Sequence, residues 1–298
     1  MMTDTLDLSG DLAGAIARRT VELAAQGYCI VDDALPSATV RALDDDLADQ
    51  FARTPFGQGG FYGTTTKRFG RLLVRSPHAA ALVQHRLVLG IVEAVLSPWC
   101  DRIQLNTTQA IAVHPGAPAQ LPHRDQDMWC GPVGEIEYLV NVMWPLTPFT
   151  SDNGATLLWP RSHGGHALDP EPAGTPFAAE MAPGAALIFL GSTLHGAGAN
   201  RTPKVRRGLV VGYSLGWLKP YENQWLAYPP AVARHFPPEL AALVGYRQHR
   251  PNLGNYEGQC PSVLLGDDAD RPLGAIDALR PDQQAMVDAH LEARRAAS

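Results

Sequence analysis

The chain has 298 residues, 45% hydrophobic and 18% charged, an ordinary balance for a globular protein. A formal net charge of -6 and the lack of any long basic run argue against a general nucleic-acid binder and against a polybasic membrane anchor. No apolar stretch approaches the roughly 20 residues that span a bilayer. The start, MMTDTLDLSGDLAGAIARR, lacks the basic-then-apolar order of a secretory signal. Cys29, Cys100, Cys130 and Cys260 lie far apart with no CxxC pair. They read as reduced, mostly buried thiols of a cytoplasmic protein, so zinc ligation by cysteine is not expected.

In chain order, apolar Leu12, Ile16 and Leu23 recur among polar residues over 9–26, and Gly27 follows as a stop; a helix is predicted there. Tyr28-Cys29-Ile30-Val31 reads as a short strand. Pro36 and Ser37 open a second helix to about Ala48, with Val40, Leu43 and Leu47 on one face. Residues 54–70 are rich in Gly, Thr and aromatics and read as a loop that can serve as a lid. Strand-like runs then occupy 103–113, 138–146, 155–159, 185–190 and 208–215. Turn chemistry separates them at His114-Pro115-Gly116, Ser151-Asp152-Asn153-Gly154 and Pro183-Gly184. Strands without intervening helices predict an all-β antiparallel barrel or jelly roll with flanking helices, not a parallel sheet. From Tyr221 the chain turns Pro-rich, then helical towards Leu291. No internal repeat is visible. One domain spanning 1–298 is expected, with a helical flank over about 1–100, the β core over about 101–220 and a helical region over about 221–298.

The chemistry concentrates in His123-Arg124-Asp125, His195 and Arg206. Two histidines and one carboxylate are the ligand set of a non-haem Fe(II) oxygenase, and they leave three positions of an octahedral ion open. Alternation along a strand puts His123 and Asp125 on one face, and His195 arrives in a Gly-rich turn just past an apolar strand. An HxD triplet alone is weak. The combination with a later histidine, in this order and these strand contexts, carries the reading. His163 and His166 lack a suitably spaced carboxylate and read as turn caps.

A guanidinium grips a carboxylate in a planar, bidentate way, so an acidic co-substrate needs an arginine near the metal. Arg206 opens the last strand and shares a face with Gly208, Val210, Gly212 and Ser214. The other face carries Arg207 with Leu209, Val211, Tyr213 and Leu215. Small residues beside Arg206 leave room for a ligand, which favours it over Arg207.

With these residues in place, the chain resembles the phytanoyl-CoA dioxygenase family of Fe(II)/2-oxoglutarate-dependent oxygenases. The likeness runs from Gly27-Tyr28-Cys29-Ile30-Val31-Asp32-Asp33 to about Gln224. It is carried by Gln120-Leu121-Pro122-His123-Arg124-Asp125-Gln126, Asn153-Gly154-Ala155-Thr156, Trp159-Pro160-Arg161-Ser162-His163, His195-Gly196-Ala197-Gly198-Ala199-Asn200, Arg206, and Trp217 with Glu222-Asn223-Gln224. The resemblance implies a double-stranded β-helix, a cupin-like jelly roll. It implies Fe(II) at His123, Asp125 and His195. It also implies 2-oxoglutarate held by Arg206 with help from Gln120, Thr156 and Asn106, and O2 as oxidant. The HRDQ form is most similar to the branch that tailors terpenoid, alkaloid and polyketide natural products. Where the family commonly has PGSH, this chain has Pro160-Arg161-Ser162-His163, so the turn can differ in shape or Arg161 can face the substrate. Asp125 points away from halogenases, which have a small residue there.

The expected reaction is oxidation, foremost hydroxylation, of an unactivated C–H bond of a hydrophobic small molecule, with release of succinate and CO2. Phe61, Tyr62, Trp129, Tyr213 and Trp217 are the candidate walls of the substrate pocket, and Arg71 and Arg75 candidate contacts to a polar handle. Lys67, Arg68 and Arg71 are the basic cluster that an acyl-CoA substrate would use. Two other classes compete: a cupin metalloenzyme without keto acid, which needs the metal but not Arg206, and a non-enzymatic β-sandwich binder, which needs neither. No nucleic-acid or membrane partner is expected, and the protein acts as a monomer or homodimer.

Overall fold

The computed structural model describes residues 11–169, 174–266 and 271–297. Nine strands are present among them: β1 Tyr28–Val31, β2 Thr66–Phe69, β3 Ile103–Val113, β4 Leu139–Pro145, β5 Thr156–Leu158, β6 Phe177–Ala178, β7 Ala186–Leu190, β8 His195–Ala197 and β9 Arg206–Leu215. The helices are α1 Leu12–Gln26, α2 Ser37–Arg53, α3 Ala79–Val83, α4 Arg86–Leu96, α5 Gln224–Ala227, α6 Pro230–Ala233, α7 Pro238–Leu243 and α8 Pro281–Ala296. Six strands form a major sheet in the order β1-β7-β4-β9-β3-β2, and three form a minor sheet, β6-β5-β8. Every strand pair is antiparallel. This is the expected jelly roll.

Strand alternation divides the major sheet into two faces. Val140, Val142 and Trp144 of β4 and Leu209, Val211, Tyr213 and Leu215 of β9 join the larger core, which the helices cover. Met143, Leu187, Phe189, Ile111 and Val113 belong to a second cluster that includes Leu158 of the minor sheet. On β3 a bulge at Asn106 shifts the register between Leu105 and Thr107. Leu105 therefore faces the helices with Ala110 and Ala112, while Ile111 and Val113 face the inside of the roll.

The first helix stops at Gly27 as expected, and Asp11 caps its start. The Asp11 carboxylate accepts from the Gly14 N–H, and Gly27 ends the helix at φ 84° with its N–H on the Leu23 carbonyl. A Cβ at Gly27 would also lie 2.6 Å from both His163 Nδ1 and Thr193 Oγ1, so glycine is required on two counts. Residues 9 and 10 of the predicted helix lie outside the described residues. The second helix runs on to Arg53, because Phe51 adds one more buried position to its Val40, Leu43, Leu47 face. The loop read over 54–70 contains an element the sequence hides. β2, Thr-Lys-Arg-Phe, is an edge strand on β3 whose two charges break the apolar alternation. α4 carries an apolar stripe, Leu87, Val88, Ile91, Val92 and Leu96, that packs into the larger core. α8 has no buried residue.

The cysteines differ from expectation. Only Cys29 is buried; Cys100 and Cys260 are partly exposed and Cys130 is exposed, all four as free thiols. Burial pushes the Cys29 thiol up to about 12, so it is inert at neutral pH. No helix among the described residues is long and apolar enough to cross a membrane.

Arg161 does not face the interior. It is exposed and sits at φ 61°, the left-handed region that the family's glycine enters freely. That conformation costs an L-residue about 1–2 kcal/mol, and glycine gives back part of it through its freedom in the unfolded chain. R161G is expected to raise stability by about 0.5 kcal/mol, read from urea unfolding; a loss of stability would show that the Arg161 side chain has a role of its own.

Candidate active site

The site begins with one pair of backbone hydrogen bonds. The His123 N–H donates to the His195 carbonyl at 2.9 Å and the His195 N–H returns to the His123 carbonyl at 3.0 Å. Residues opposed this way in an antiparallel pair project to the same side. The imidazole centroids are accordingly 4.5 Å apart. His195 is the first residue of β8, not part of a turn, and it is 6% exposed. Asp125 departs further from the reading. It does not continue a strand but opens a 3-10 turn, Asp125–Met128. Alternation therefore does not explain why it joins His123; the turn swings its carboxylate back. Oδ1 lies 3.3 Å from His123 Nε2 and Oδ2 3.6 Å from His195 Nε2. One ligand atom from each residue falls within 4.8 Å of the others, so the three can share a metal ion.

Each imidazole is oriented from behind. His123 Nδ1 donates to the Leu121 carbonyl at 2.8 Å and His195 Nδ1 to the Thr193 carbonyl at 3.0 Å. A carbonyl only accepts, so the proton sits on Nδ1 and both Nε2 lone pairs face Asp125. Burial pushes the Asp125 carboxyl up, but His195, His123 and the Asn141 amide outweigh it and hold it below its usual value. Burial lowers His195, which keeps it neutral and available as a ligand. At His123 burial also pulls down, and the contact with Asp125 overrides it, leaving a net rise.

The cluster opens into a cavity of about 390 Å³ between the sheets. Arg206 lines the same cavity, reaches it from the first residue of β9 and is 2% exposed. Its Nε and Nη2 donate to the Gly154 carbonyl, and its guanidinium lies 4.1 Å from the centre of the Phe149 ring. Nη1 is buried with no hydrogen-bond partner, and among the described residues no carboxylate pairs with the guanidinium. Burial pulls Arg206 down to about 9, still charged at neutral pH. A buried cation of this kind needs an anion. Arg207, by contrast, points to the helix side and pairs with Asp44 at 2.7 Å.

Gln120, Thr156 and Asn106 all line the cavity, as do Phe61 and Tyr62. The Phe61 ring packs edge-on against His123 at 4.8 Å. Three candidate walls are corrected. Tyr213 is 0% exposed on the helix side, its hydroxyl bonded to the Val83 carbonyl at 2.8 Å, because its strand face is the bulky one. Trp217 is 41% exposed, donates to the Trp99 carbonyl and lines a separate surface groove. Trp129 follows Met128 out of the turn and donates to the Lys219 carbonyl; Met128 takes its place in the wall. The basic cluster also divides. Lys67 caps the Phe51 and Ala52 carbonyls and Arg71 bonds the Ala227 carbonyl, while Arg68 enters the cavity and donates to Gln109. Arg75 bonds Gly70 and Gln50, outside the cavity.

Asn141, Tyr221 and Arg124, to which the sequence assigns no individual role, are among the residues that line the cavity; Arg68, expected only as part of the basic cluster, lines it too. Asn141 had a signal, as the single amide in the apolar run Leu-Val-Asn-Val-Met-Trp-Pro. Tyr221 meets the Tyr62 hydroxyl across the cavity mouth. Arg124 ties the ligand segment to the Ser192 and Ser162 carbonyls. Glu222 and Gln224, part of the recognised motif, bind the bulge: Glu222 accepts from the Thr108 N–H, and Gln224 donates to the Asn106 carbonyl. His163 caps the Ala24 carbonyl and His166 pairs with Asp169, both away from the site.

A jelly roll with a two-imidazole, one-carboxylate cluster and an unneutralised buried arginine in one cavity defines the class of non-haem Fe(II)/2-oxoglutarate-dependent oxygenases. The donor set and the orphan Arg206 Nη1 fit that pair of groups. The comparisons agree. The family profile described as "Phytanoyl-CoA dioxygenase (PhyH)" matches residues 23–208, and the chain belongs to this family of dioxygenases. It is similar to dioxygenase FrzG of Cladobotryum sp, 34% identical over 74% of this chain and 76% of that one. Dioxygenase cdmA of Talaromyces verruculosus is 28% identical over 86% and 90%. The fold is shared with the α-ketoglutarate-dependent epimerase SnoN from nogalamycin biosynthesis: TM-score 0.56, 18% identity, 68% of this chain and 82% of that one. It is also shared with HygX from Streptomyces hygroscopicus bound to nickel, 2-oxoglutarate and hygromycin B: TM-score 0.53, 14% identity, 69% and 89%. The enzyme is thus an Fe(II)/2-oxoglutarate dioxygenase.

In the turn that precedes β8, Ser192 Oγ donates to Glu137, whose other oxygen is buried without a partner. Burial raises the Glu137 carboxyl from 4.5 to about 7 despite that bond. Between those values the folded protein holds a proton that the unfolded chain releases, so stability falls as pH rises through the window. E137Q removes the titration. It is expected to gain about 2–3 kcal/mol over the parent between pH 4.5 and 8, read from urea unfolding at several pH values. Parallel curves would contradict the buried neutral carboxyl.

Proposed function

We propose that this dioxygenase hydroxylates an unactivated C–H bond of a hydrophobic small molecule in natural-product biosynthesis, releasing succinate and CO2. One observation carries the reading: a three-donor cluster and an isolated guanidinium open into a single, mostly apolar cavity. His123, Asp125 and His195 hold Fe(II) through both Nε2 atoms and a carboxylate oxygen. Arg206 holds the distal carboxylate of 2-oxoglutarate, with Gln120, Thr156 and Asn106 as further contacts. Together with O2 these groups supply the oxidising power when bound, and the protein supplies position. Ile111, Leu139, Met143, Phe189 and Val210 present apolar surface to the substrate. Phe61 and Tyr62 form the lid, and with Tyr221 they exclude water from the mouth. Arg68 and the two phenols orient an oxygen-bearing part of the ligand. Residues 1–298 act as one unit, as a monomer or homodimer.

The nogalamycin enzyme and the hygromycin-bound protein that share this fold support a natural-product substrate. An acyl-CoA is less well served, since Lys67 and Arg71 are engaged on backbone carbonyls. Desaturation, epoxidation or rearrangement would use the same residues, and product analysis separates them from hydroxylation.

Anaerobic addition of Fe(II) and 2-oxoglutarate is expected to produce the visible charge-transfer band of a chelated keto acid, and H195A to abolish it. R206A, leaving the co-substrate's carboxylate unpaired, is expected to weaken 2-oxoglutarate by at least about 30-fold, near 2 kcal/mol. An unchanged affinity in R206A would favour a metalloenzyme that needs no keto acid.

A further inference from the structure

We infer that Asn141 is a positioning residue for the metal. Its amide fixes Oδ2 of Asp125, so that the carboxylate meets the ion through Oδ1 alone. This rests on the ligand assignment proposed above and adds a residue outside the ligand set.

Asn141 sits in the middle of β4, hydrogen-bonded on both sides, opposite Phe189 of β7 and Gly212 of β9. It is 2% exposed. An amide in such a place costs stability unless it is used. Its Nδ2 donates to Asp125 Oδ2 at 2.7 Å. The neighbouring strand supplies the room. A Cβ at Gly212 would lie 3.0 Å from Asn141 Oδ1, tight enough to disturb the amide.

Asp125 needs that support more than the histidines do. Each imidazole is held by a backbone carbonyl behind it. Asp125 stands at the start of a short 3-10 turn, off any strand. Among the described residues, Asn141 is the one side chain that donates a hydrogen bond to its carboxylate while both Nε2 lone pairs face it. With Oδ2 engaged by the amide, Oδ1 is the free oxygen. One-oxygen ligation keeps a position open that a chelating carboxylate would fill, and the site needs its open positions for co-substrate and O2. A central strand is also the stiffest part of the roll, so the hydrogen bond is delivered from a fixed point.

The test measures Co(II) affinity and the Co(II) absorption spectrum, without turnover, in the parent protein, D125A, N141A and N141L. N141L keeps roughly the volume and removes the donor. Loss of a partner behind a metal ligand typically weakens the metal 10–100-fold. That loss is expected in N141A and N141L, with a changed ligand-field band as Asp125 turns to chelate, and with metal-free melting temperatures near the parent's. Folded variants that bind Co(II) within threefold of the parent and with its spectrum would overturn the inference. So would a failure of both variants to fold, which would assign Asn141 to the core. A parent that does not bind Co(II), or a D125A that binds it as tightly as the parent, would instead remove the ligand assignment itself.

Discussion

Everything in the cavity depends on the reciprocal backbone pairing of His123 with His195. It joins a segment with no strand of its own to the minor sheet. A slip of one residue in either partner would turn one imidazole outward and leave Asp125 facing a lone histidine. The surrounding bonds defend this register. Gln120 and Ala197 are joined by the Gln120 N–H to the Ala197 carbonyl at 2.8 Å, Gln126 donates to the Gly191 carbonyl, and Arg124 grips the Ser192 carbonyl. The motif around the histidine is therefore as much a fastening as a candidate ligand set.

The second constraint is electrostatic. Among the described residues Arg206 is a buried charge with no acidic partner, and it lines a cavity that also holds Arg68. Burying such a cation costs several kcal/mol. The jelly roll bears that cost with an extended apolar core on the helix side of the major sheet, where Trp144, Tyr213 and Leu209 pack. The two faces of one sheet thus divide the labour. One stabilises, and the other holds polar groups in arrangements that only ligands complete. Asn141 belongs to that polar side as well, and Glu137, bonded to Ser192 just before β8, adds a second buried polar group near it.

Much of this was legible. The strand runs 103–113 and 185–190, the antiparallel class, the order of His123, Asp125, His195 and Arg206, and the preference for Arg206 over Arg207 all follow from alternation and residue chemistry. What alternation cannot see is a bulge. The shift at Asn106 brings Asn106 and Thr107 to the cavity together and reverses the faces of all later residues in β3. Nor can it see a turn that returns a side chain, as at Asp125. Large aromatics were the poorest guide. Trp129, Tyr213 and Trp217 were placed by proximity to motifs, yet each is drawn elsewhere by a hydrogen bond to a backbone carbonyl. Charges misled in another way: Lys67 and Arg68 read as one basic cluster on a loop, but on an edge strand they point to opposite faces, and of the two only Arg68 lines the cavity.

The central claim is that one ion is bound by these three side chains with the keto acid between it and Arg206. A crystal structure of the protein soaked with Mn(II) and 2-oxoglutarate without O2 tests it most directly, through the anomalous signal of the metal. The account requires a single strong peak bonded to Nε2 of His123, Nε2 of His195 and one oxygen of Asp125, with the keto acid's far carboxylate on Arg206. A peak bonded to other side chains, or a keto acid lying away from Arg206, would contradict it.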